Sequence, residues 1–251
     1  MNILITGSKG FIGRNLVKLL KKDYPTEVIM EFDKENTLDE LASFCEKADV
    51  VFHLAAVVRP KMAIEYNNNV DLTSTLLDFI KKNKRKCSIM FSSSIQAELD
   101  NPYGQTKRIE EKKIIDFGNR NNVKTYVFRF PNLFGTMSRP NYTSVISTFC
   151  YNTIKGEPLI VNNPAAIIKF AFIEKVLSRV VKTVFSYDSL EANTIISFNN
   201  CYQVGLGELA YYMETLKREV SPSINRNDDF YNDLRIVYDW YTKNINSSDY
   251  C

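Results

Sequence analysis

A chain of 251 residues that is 45% hydrophobic is long enough for one large domain, or one and a half, with a substantial core of its own. Its net charge of +3 and pI near 8.4 arise from interleaved acids and bases, which exclude nucleic acid as the expected partner. Five cysteines, scattered and without a CxxC pair, exclude a disulfide framework or zinc site; with His53 the only histidine, no metal is expected.

Residues 2–6 (NILIT) read as a buried strand, which leaves no room for a signal peptide. With no run of about 18 apolar residues, no membrane span is expected either, and the reducing cytoplasm is the expected location. Gly7-Ser8-Lys9-Gly10-Phe11-Ile12-Gly13 follows directly and opens a helical pattern through Leu16, Leu19 and Leu20. A strand, a glycine turn and a helix N-terminus make an anion site, because free N–H groups and the helix dipole point at the turn. In this context GxxGxxG is a dinucleotide fingerprint, with Gly7, Gly10, Phe11, Ile12 and Gly13 as the predicted cofactor residues.

The next strand, 27–32, leads to Glu31 and Asp33, about twenty residues beyond the fingerprint, where a carboxylate accepts the adenosine ribose hydroxyls. Acids there favour NAD, whereas Lys34 beside them can receive the 2′-phosphate of NADP; the residues argue both ways. A short amphipathic helix at 38–45 and a buried strand at 49–54 follow, the latter ending in Leu54-Ala55-Ala56, small enough for a flat cofactor to lie close. His53, at the end of that strand, reads as a hydrogen-bonded structural histidine rather than a functional one. Residues 67–82 carry a helical period through Val70, Leu72, Leu76, Leu77 and Ile80.

Residues 87–107, CSIMFSSSIQAELDNPYGQTK, organise the rest. Ile89, Met90 and Phe91 read as a buried strand whose carboxyl edge carries Ser92, Ser93 and Ser94, and Asn101-Pro102 then opens a helix. Tyr103 and Lys107, at i and i+4, share one face of it. A phenol near pKa ~10 is a poor acid or base at neutral pH, and an ammonium one turn away is expected to lower that value. A second Tyr-x-x-x-Lys pair, Tyr151 and Lys155, lies in an apolar helical pattern with no serine-ended strand before it, and reads as packing plus a solvated lysine.

A strand at 123–130 closes a regular alternation of strand and helix, which means a parallel sheet covered by helices on both faces, with ligands at the strands' carboxyl ends. Beyond residue 131, prolines and glycines punctuate shorter elements. These are a helix at 144–155, a strand at 159–161, a helix at 173–187 and a strand at 193–198 that re-enter the sheet, and helices at 206–218 and 231–244.

ITGSKGFIG, HLAA, FSSSIQA, NPYGQTK and RFPNLFG resemble the extended short-chain dehydrogenase/reductases that act on nucleotide sugars. NPYGQTK, PNLFG and PNYTSVISTFCY are most similar to the reductase half of bifunctional capsular polysaccharide enzymes, which act on the way to UDP-N-acetyl-L-fucosamine. The resemblance implies a Rossmann-type doubly wound α/β fold, residues 1–130 mainly dinucleotide-binding and 131–251 mainly a smaller substrate-binding cap. It implies NADPH-dependent reduction of a UDP-linked 4-keto-6-deoxy N-acetylhexosamine, with Tyr103 as the acid at the C4 oxygen, Ser94 as its hydrogen-bonding partner and Lys107 on the nicotinamide ribose. Asn132 falls where family members contact the sugar-nucleotide phosphates, and Lys169 stands in or near the place of an arginine whose fork it lacks. A homodimer through 67–82 and 103–119 is implied as well. The bifunctional enzymes continue into a metal-binding cupin domain that these residues do not include, so a separate dehydratase or epimerase is the expected pathway partner. An NAD-dependent 4-epimerase uses the same residues and is the alternative; a non-catalytic dinucleotide-binding regulator would not need the intact Ser94, Tyr103 and Lys107 set. A dehydratase is disfavoured because Ile95-Gln96-Ala97, rather than an acidic pair, follows Ser94.

Overall fold

The computed structural model describes residues 1–83, 87–186, 192–218 and 228–246. The first half runs β1 (Asn2–Thr6), α1 (Phe11–Asp23), β2 (Val28–Phe32), α2 (Leu38–Lys47), β3 (Val50–His53), α3 (Asn67–Lys82), β4 (Ser88–Ser94), α4 (Pro102–Asn121) and β5 (Thr125–Phe130). The second runs β6 (Asn132–Phe134), α5 (Val145–Lys155), β7 (Ile167–Phe172), α6 (Ile173–Phe185), β8 (Thr194–Ser197), β9 (Tyr202–Gly205), α7 (Leu206–Arg218) and α8 (Asp229–Asn244). Single 3-10 turns precede α3 (Ala63–Tyr66) and α4 (Ile95–Glu98). Two compact units result: Met1–Phe130 with Leu177–Phe198, and Pro131–Val176 with Asn199–Cys251.

In the first unit six strands pair in the order β2-β1-β3-β4-β5-β8, every pair parallel. Alternate side chains explain why these strands read as continuous apolar runs. Leu4, Val51, Phe91 and Val127 point to one face and pack with Leu41, Leu76 and Ile114 of α2, α3 and α4. Phe52, of opposite parity, meets Phe185 of α6 at 6.3 Å between ring centroids. A parallel sheet buried on both faces has no polar side to show. The strand order reverses between β1 and β3, and the carboxyl ends of those strands are where doubly wound sheets bind ligands.

The second unit holds a small sheet, β6-β7-β9, with β6 parallel and β9 antiparallel to β7. Aromatic side chains fill its core: the Phe134 ring lies 5.5 Å from those of Phe172 and Phe230. Asp233, buried on α8, is held by Lys175 Nζ at 2.7 Å and the Tyr202 hydroxyl at 2.6 Å. Ser144 and Asp228 cap α5 and α8 through their side-chain oxygens.

Residues 159–161 are not a strand. Leu159 and Val161 pack on the core of the second unit while Ile160 stays exposed, and with Pro158 and Pro164 flanking them they find no partner to pair with. The sheet is built instead from β6, β7 and β9, too short or too irregular to read from a pattern. The helix predicted to reach Tyr187 ends at Phe185, residue 187 lying outside the described residues.

Candidate active site

Each glycine of the β1–α1 turn does something different. Gly7 has φ +72°, and a Cβ there would sit 2.7 Å from the Ala55 nitrogen, so the turn lies directly against the end of β3. A Cβ at Gly13 would come within 2.2 Å of the Gly7 carbonyl, which allows α1 to pack on the turn. At Gly10 it would meet only that carbonyl, at 3.3 Å; the remaining space is open. No side chain caps α1 and no acid stands in its first turn, so Phe11 and Ile12 open an uncapped helix N-terminus. Tight turn, open approach and close packing are the three glycine duties of a dinucleotide pyrophosphate site, and these residues fit one.

Asp33 Oδ2 accepts from the Lys9 backbone N–H at 2.8 Å, which ties the end of β2 to the glycine turn, with Lys34 exposed next to it. Lys9 Nζ pairs with Glu35 at 3.1 Å and holds that carboxyl below its usual range. Glu31 is turned to Lys21 of α1 at 3.1 Å. Leu54, Ala55 and Ala56 lie half-buried beyond β3, and the Ala55 N–H donates to Thr6 Oγ1 at 3.3 Å.

Ser94 ends β4 and caps the following 3-10 turn, its Oγ accepting from the Gln96 N–H at 3.2 Å. Asn101 caps α4 through the Gly104 N–H at 2.8 Å, with Pro102 at the first helical position. A Cβ at Gly104 would lie 2.1 Å from the Gln96 carbonyl, so the absent side chain lets the first turn of α4, which carries Tyr103, close on the turn that leaves Ser94. Arg108 donates to the carbonyls of Ala97 (2.7 Å) and Leu99 (2.8 Å) and holds the two turns together. Behind them Arg129 grips Glu111 with two bonds, 2.8 and 2.7 Å, and Ser93 donates to the same carboxylate.

Lys107 is 1% exposed; its Nζ lies 3.2 Å from Glu110, 4.5 Å from the Phe91 ring centroid and 5.8 Å from that of Tyr103. It has that ion pair and those rings but no hydrogen bond, which leaves N–H donors for acceptors such as ribose hydroxyls. Tyr103, half-buried, packs on Tyr66 at 5.7 Å between centroids. The expectation that Lys107 brings the phenol below its usual pKa is corrected: burial raises it first, Lys107 pulls down, and Glu110 and Tyr66 push up again. The low-dielectric surroundings, and after them the neighbouring carboxylate, outweigh the ammonium.

Asn132 and Lys169 come together in the second unit, where the Asn132 side chain donates to the Lys169 carbonyl at 3.1 Å. Tyr151 and Lys155 do not form a comparable arrangement: Lys155 reaches Asn246 at 3.1 Å. His53 is fully buried between Thr6 and Thr73. Glu110, Thr73 and the Arg129–Glu111 pair were not singled out from the sequence; charge in KRIEEKK reads as a solvated helix face, and only the tertiary packing reveals which of these residues turn inward.

A parallel doubly wound sheet with a glycine turn at its reversal point defines a dinucleotide-binding class, and the model of the NAD dependent epimerase/dehydratase family matches residues 3–196. The chain belongs to that family. It is 37% identical, over 84% of its length, to the UDP-2-acetamido-2,6-beta-L-arabino-hexul-4-ose reductase of Pseudomonas aeruginosa, and spans 56% of that enzyme. The crystal structure of the capsular polysaccharide assembling protein CapF from Staphylococcus aureus superposes with a TM-score of 0.86 at 33% identity, covering 99% of this chain and 68% of that one. A UDP-N-acetylglucosamine 4-epimerase from Methanobrevibacter ruminantium shares the fold, with a TM-score of 0.81 at 20% identity over 96% of this chain and 98% of its own.

Proposed function

We propose that this chain is an NAD(P)H-dependent reductase of a UDP-linked 4-keto-6-deoxy N-acetylhexosamine, acting in surface polysaccharide biosynthesis. The observation that carries the reading is the likeness to the Pseudomonas reductase over most of the chain, together with Ser94, Tyr103 and Lys107 set at the adjoining ends of β4 and α4. The glycine turn would hold the dinucleotide diphosphate and Lys107 the nicotinamide ribose. When bound, the reduced dinucleotide supplies a hydride to the C4 carbon. As the C4 oxygen gains charge, Tyr103 hands it a proton; Ser94 Oγ donates a hydrogen bond that holds the same oxygen in line. Because burial keeps the Tyr103 phenol protonated beyond its usual range, the group begins each reduction in the acid form that the step needs. Asn132 and Lys169 belong, on this reading, to the sugar-nucleotide diphosphate, and the molecule works as a homodimer through α3 and α4. A monomeric mass by light scattering would remove that last element.

Purified protein, given NADPH and a 4-keto sugar nucleotide generated in place by a dehydratase, is expected to oxidise NADPH. Tyr103→Phe is expected to lower turnover by at least about a hundredfold with dinucleotide affinity retained, while Tyr151→Phe changes it less than about twofold. Equal losses would remove Tyr103 from the role. Tightly retained NAD, with interconversion of C4 epimers and no net oxidation, would replace the reductase by the epimerase.

The finer assignment is NADP, resting on exposed Lys34 beside Asp33, each of whose oxygens accepts one N–H, from Lys9 and from Lys34. Lys34→Ala is expected to weaken NADPH about tenfold, or about 1.4 kcal/mol, and leave NADH nearly unchanged. Equal weakening of both cofactors would place Lys34 outside the 2′-phosphate site.

A further inference from the structure

A file of buried polar groups crosses the first unit behind the Tyr103 helix. The Ala55 N–H donates to Thr6 Oγ1 (3.3 Å), Thr6 Oγ1 meets His53 Nδ1 (2.7 Å), and His53 Nε2 meets Thr73 Oγ1 (2.9 Å). Thr73 Oγ1 donates to Glu110 Oε1 (2.9 Å), and the other carboxylate oxygen, Oε2, faces Lys107 Nζ at 3.2 Å. Thr6, His53, Thr73 and Glu110 are 0% exposed and Lys107 is 1% exposed.

Donor counting gives this file one direction. A threonine hydroxyl has a single hydrogen, and that of Thr73 goes to a carboxylate, which can only accept. His53 Nε2 must therefore carry the ring proton and donate to Thr73, Nδ1 must accept, and Thr6 must donate to it. Burial first, and then Lys107, push the His53 pKa down to about 3, so the ring is neutral and has one donor and one acceptor as this order requires. Every donor in the file points toward Glu110, and Glu110 in turn faces the buried ammonium.

We propose that Glu110 is the positioning residue for Lys107, and that Thr6, His53 and Thr73 are a one-way hydrogen-bond file that fixes the Glu110 carboxylate. This rests on the reductase reading for its kinetic consequence. A buried ammonium is costly without a counter-charge. Lys107 meets Glu110 one turn along its own helix, while the neighbouring Glu111 is turned away to Arg129 on β5. The other titratable groups facing the pair are Tyr103 on α4, Tyr66 from the 3-10 turn before α3, and His53 from β3. The carboxylate is held from the Thr73 side, so its remaining oxygen sets where the lysine head stands. The file starts at Thr6 and Ala55, the two strand ends that meet at the glycine turn, so the groups expected at the diphosphate and at the nicotinamide ribose are joined by one frame of hydrogen bonds closed by the Glu110–Lys107 ion pair.

Glu110→Gln keeps the shape and removes the charge. It is expected to lower kcat by about tenfold or more with KM for the sugar nucleotide within about twofold, a split that marks a role in the reacting step. It also removes a charge that raises the Tyr103 pKa, so the alkaline limb of the kcat profile is expected to move to lower pH. Thr73→Val, isosteric but without a hydroxyl, is expected to lose several-fold in kcat, and Thr73→Ser to recover most of it. A folded Glu110→Gln protein with wild-type kcat and an unmoved alkaline limb would overturn the proposal, as would equal losses in Thr73→Ser and Thr73→Val. A stability cycle separates this from the functional reading. If the wild type reduces no 4-keto sugar nucleotide, that reading falls, yet melting of Glu110→Gln, Lys107→Met and the double variant still decides the pair. A Tm loss in the double variant smaller than the sum of the single losses supports the pairing; additive losses overturn it.

Discussion

Gly104 shows how a single missing side chain can set a site. Its Cβ position is occupied by backbone, the Gln96 carbonyl at 2.1 Å and the Leu99 carbonyl at 2.7 Å, neither of which can swing aside as the end of a long side chain could. Gly104→Ala is therefore expected to destabilise the protein by about 1–3 kcal/mol, the scale of overpacking, and to cut turnover by displacing Tyr103. Urea melts and kcat measured on the same preparation check both; full stability with full activity would show that the two turns can separate freely. The neighbouring residues also show what the sequence hides. Tyr103 and Lys107 stand out as candidates because their spacing and the serine-ended strand before them carry a chemical meaning. Glu110 was not, since KRIEEKK looks like a solvated surface, whereas Lys107, Glu110 and Glu111 are buried at 1%, 0% and 3% exposure and apolar Ile109 is 49% exposed. Helical periodicity of hydrophobicity marks a buried face only when that face is apolar.

Among the elements, the parallel strands and their helices were readable because each must bury an unbroken apolar run; β1, β2, β3 and β5 fall within a residue or two of their predicted places, while β4 runs on past Phe91 through all three serines to Ser94. The small sheet was not: β6 has three residues and β9 four, so their pairing with β7 rests on contacts distant in sequence. His53 joins β3 to β1 and α3, and this has a consequence in acid. The unfolded chain binds a proton at His53 below about pH 6.5, while the folded chain holds the ring neutral until about pH 3. Stability present above pH 6.5 is thus lost as pH falls through that window, by at most about 1.4 kcal/mol per pH unit. Urea midpoints at about pH 7 and about pH 5 are expected to differ more in the wild type than in His53→Gln. Equal slopes would mean that His53 is charged in the folded protein or that the ring is not buried.

At the scale of the whole molecule, each unit carries its own core and its own thiol reporters. Cys45 and Cys87 are buried in the first unit and Cys150 in the second; burial pushes the Cys45 thiol up to about 12 and raises that of Cys150. All three are expected to resist a thiol reagent in native buffer and to label as urea opens the unit that contains each, read by mass spectrometry of the peptides. Prompt labelling without denaturant would show that a unit opens on its own. The order in which the chain visits the two units also bears on its birth. It leaves the first unit after Phe130, returns at Leu177 and leaves it again after Phe198. A ribosome has therefore delivered β5, whose TYVFRF is buried at every position but Arg129, well before β8 emerges to cover its edge. During that interval the nascent chain carries β5 with an outer edge that β8 has not yet covered, an exposed strand edge of the kind that pairs with other chains.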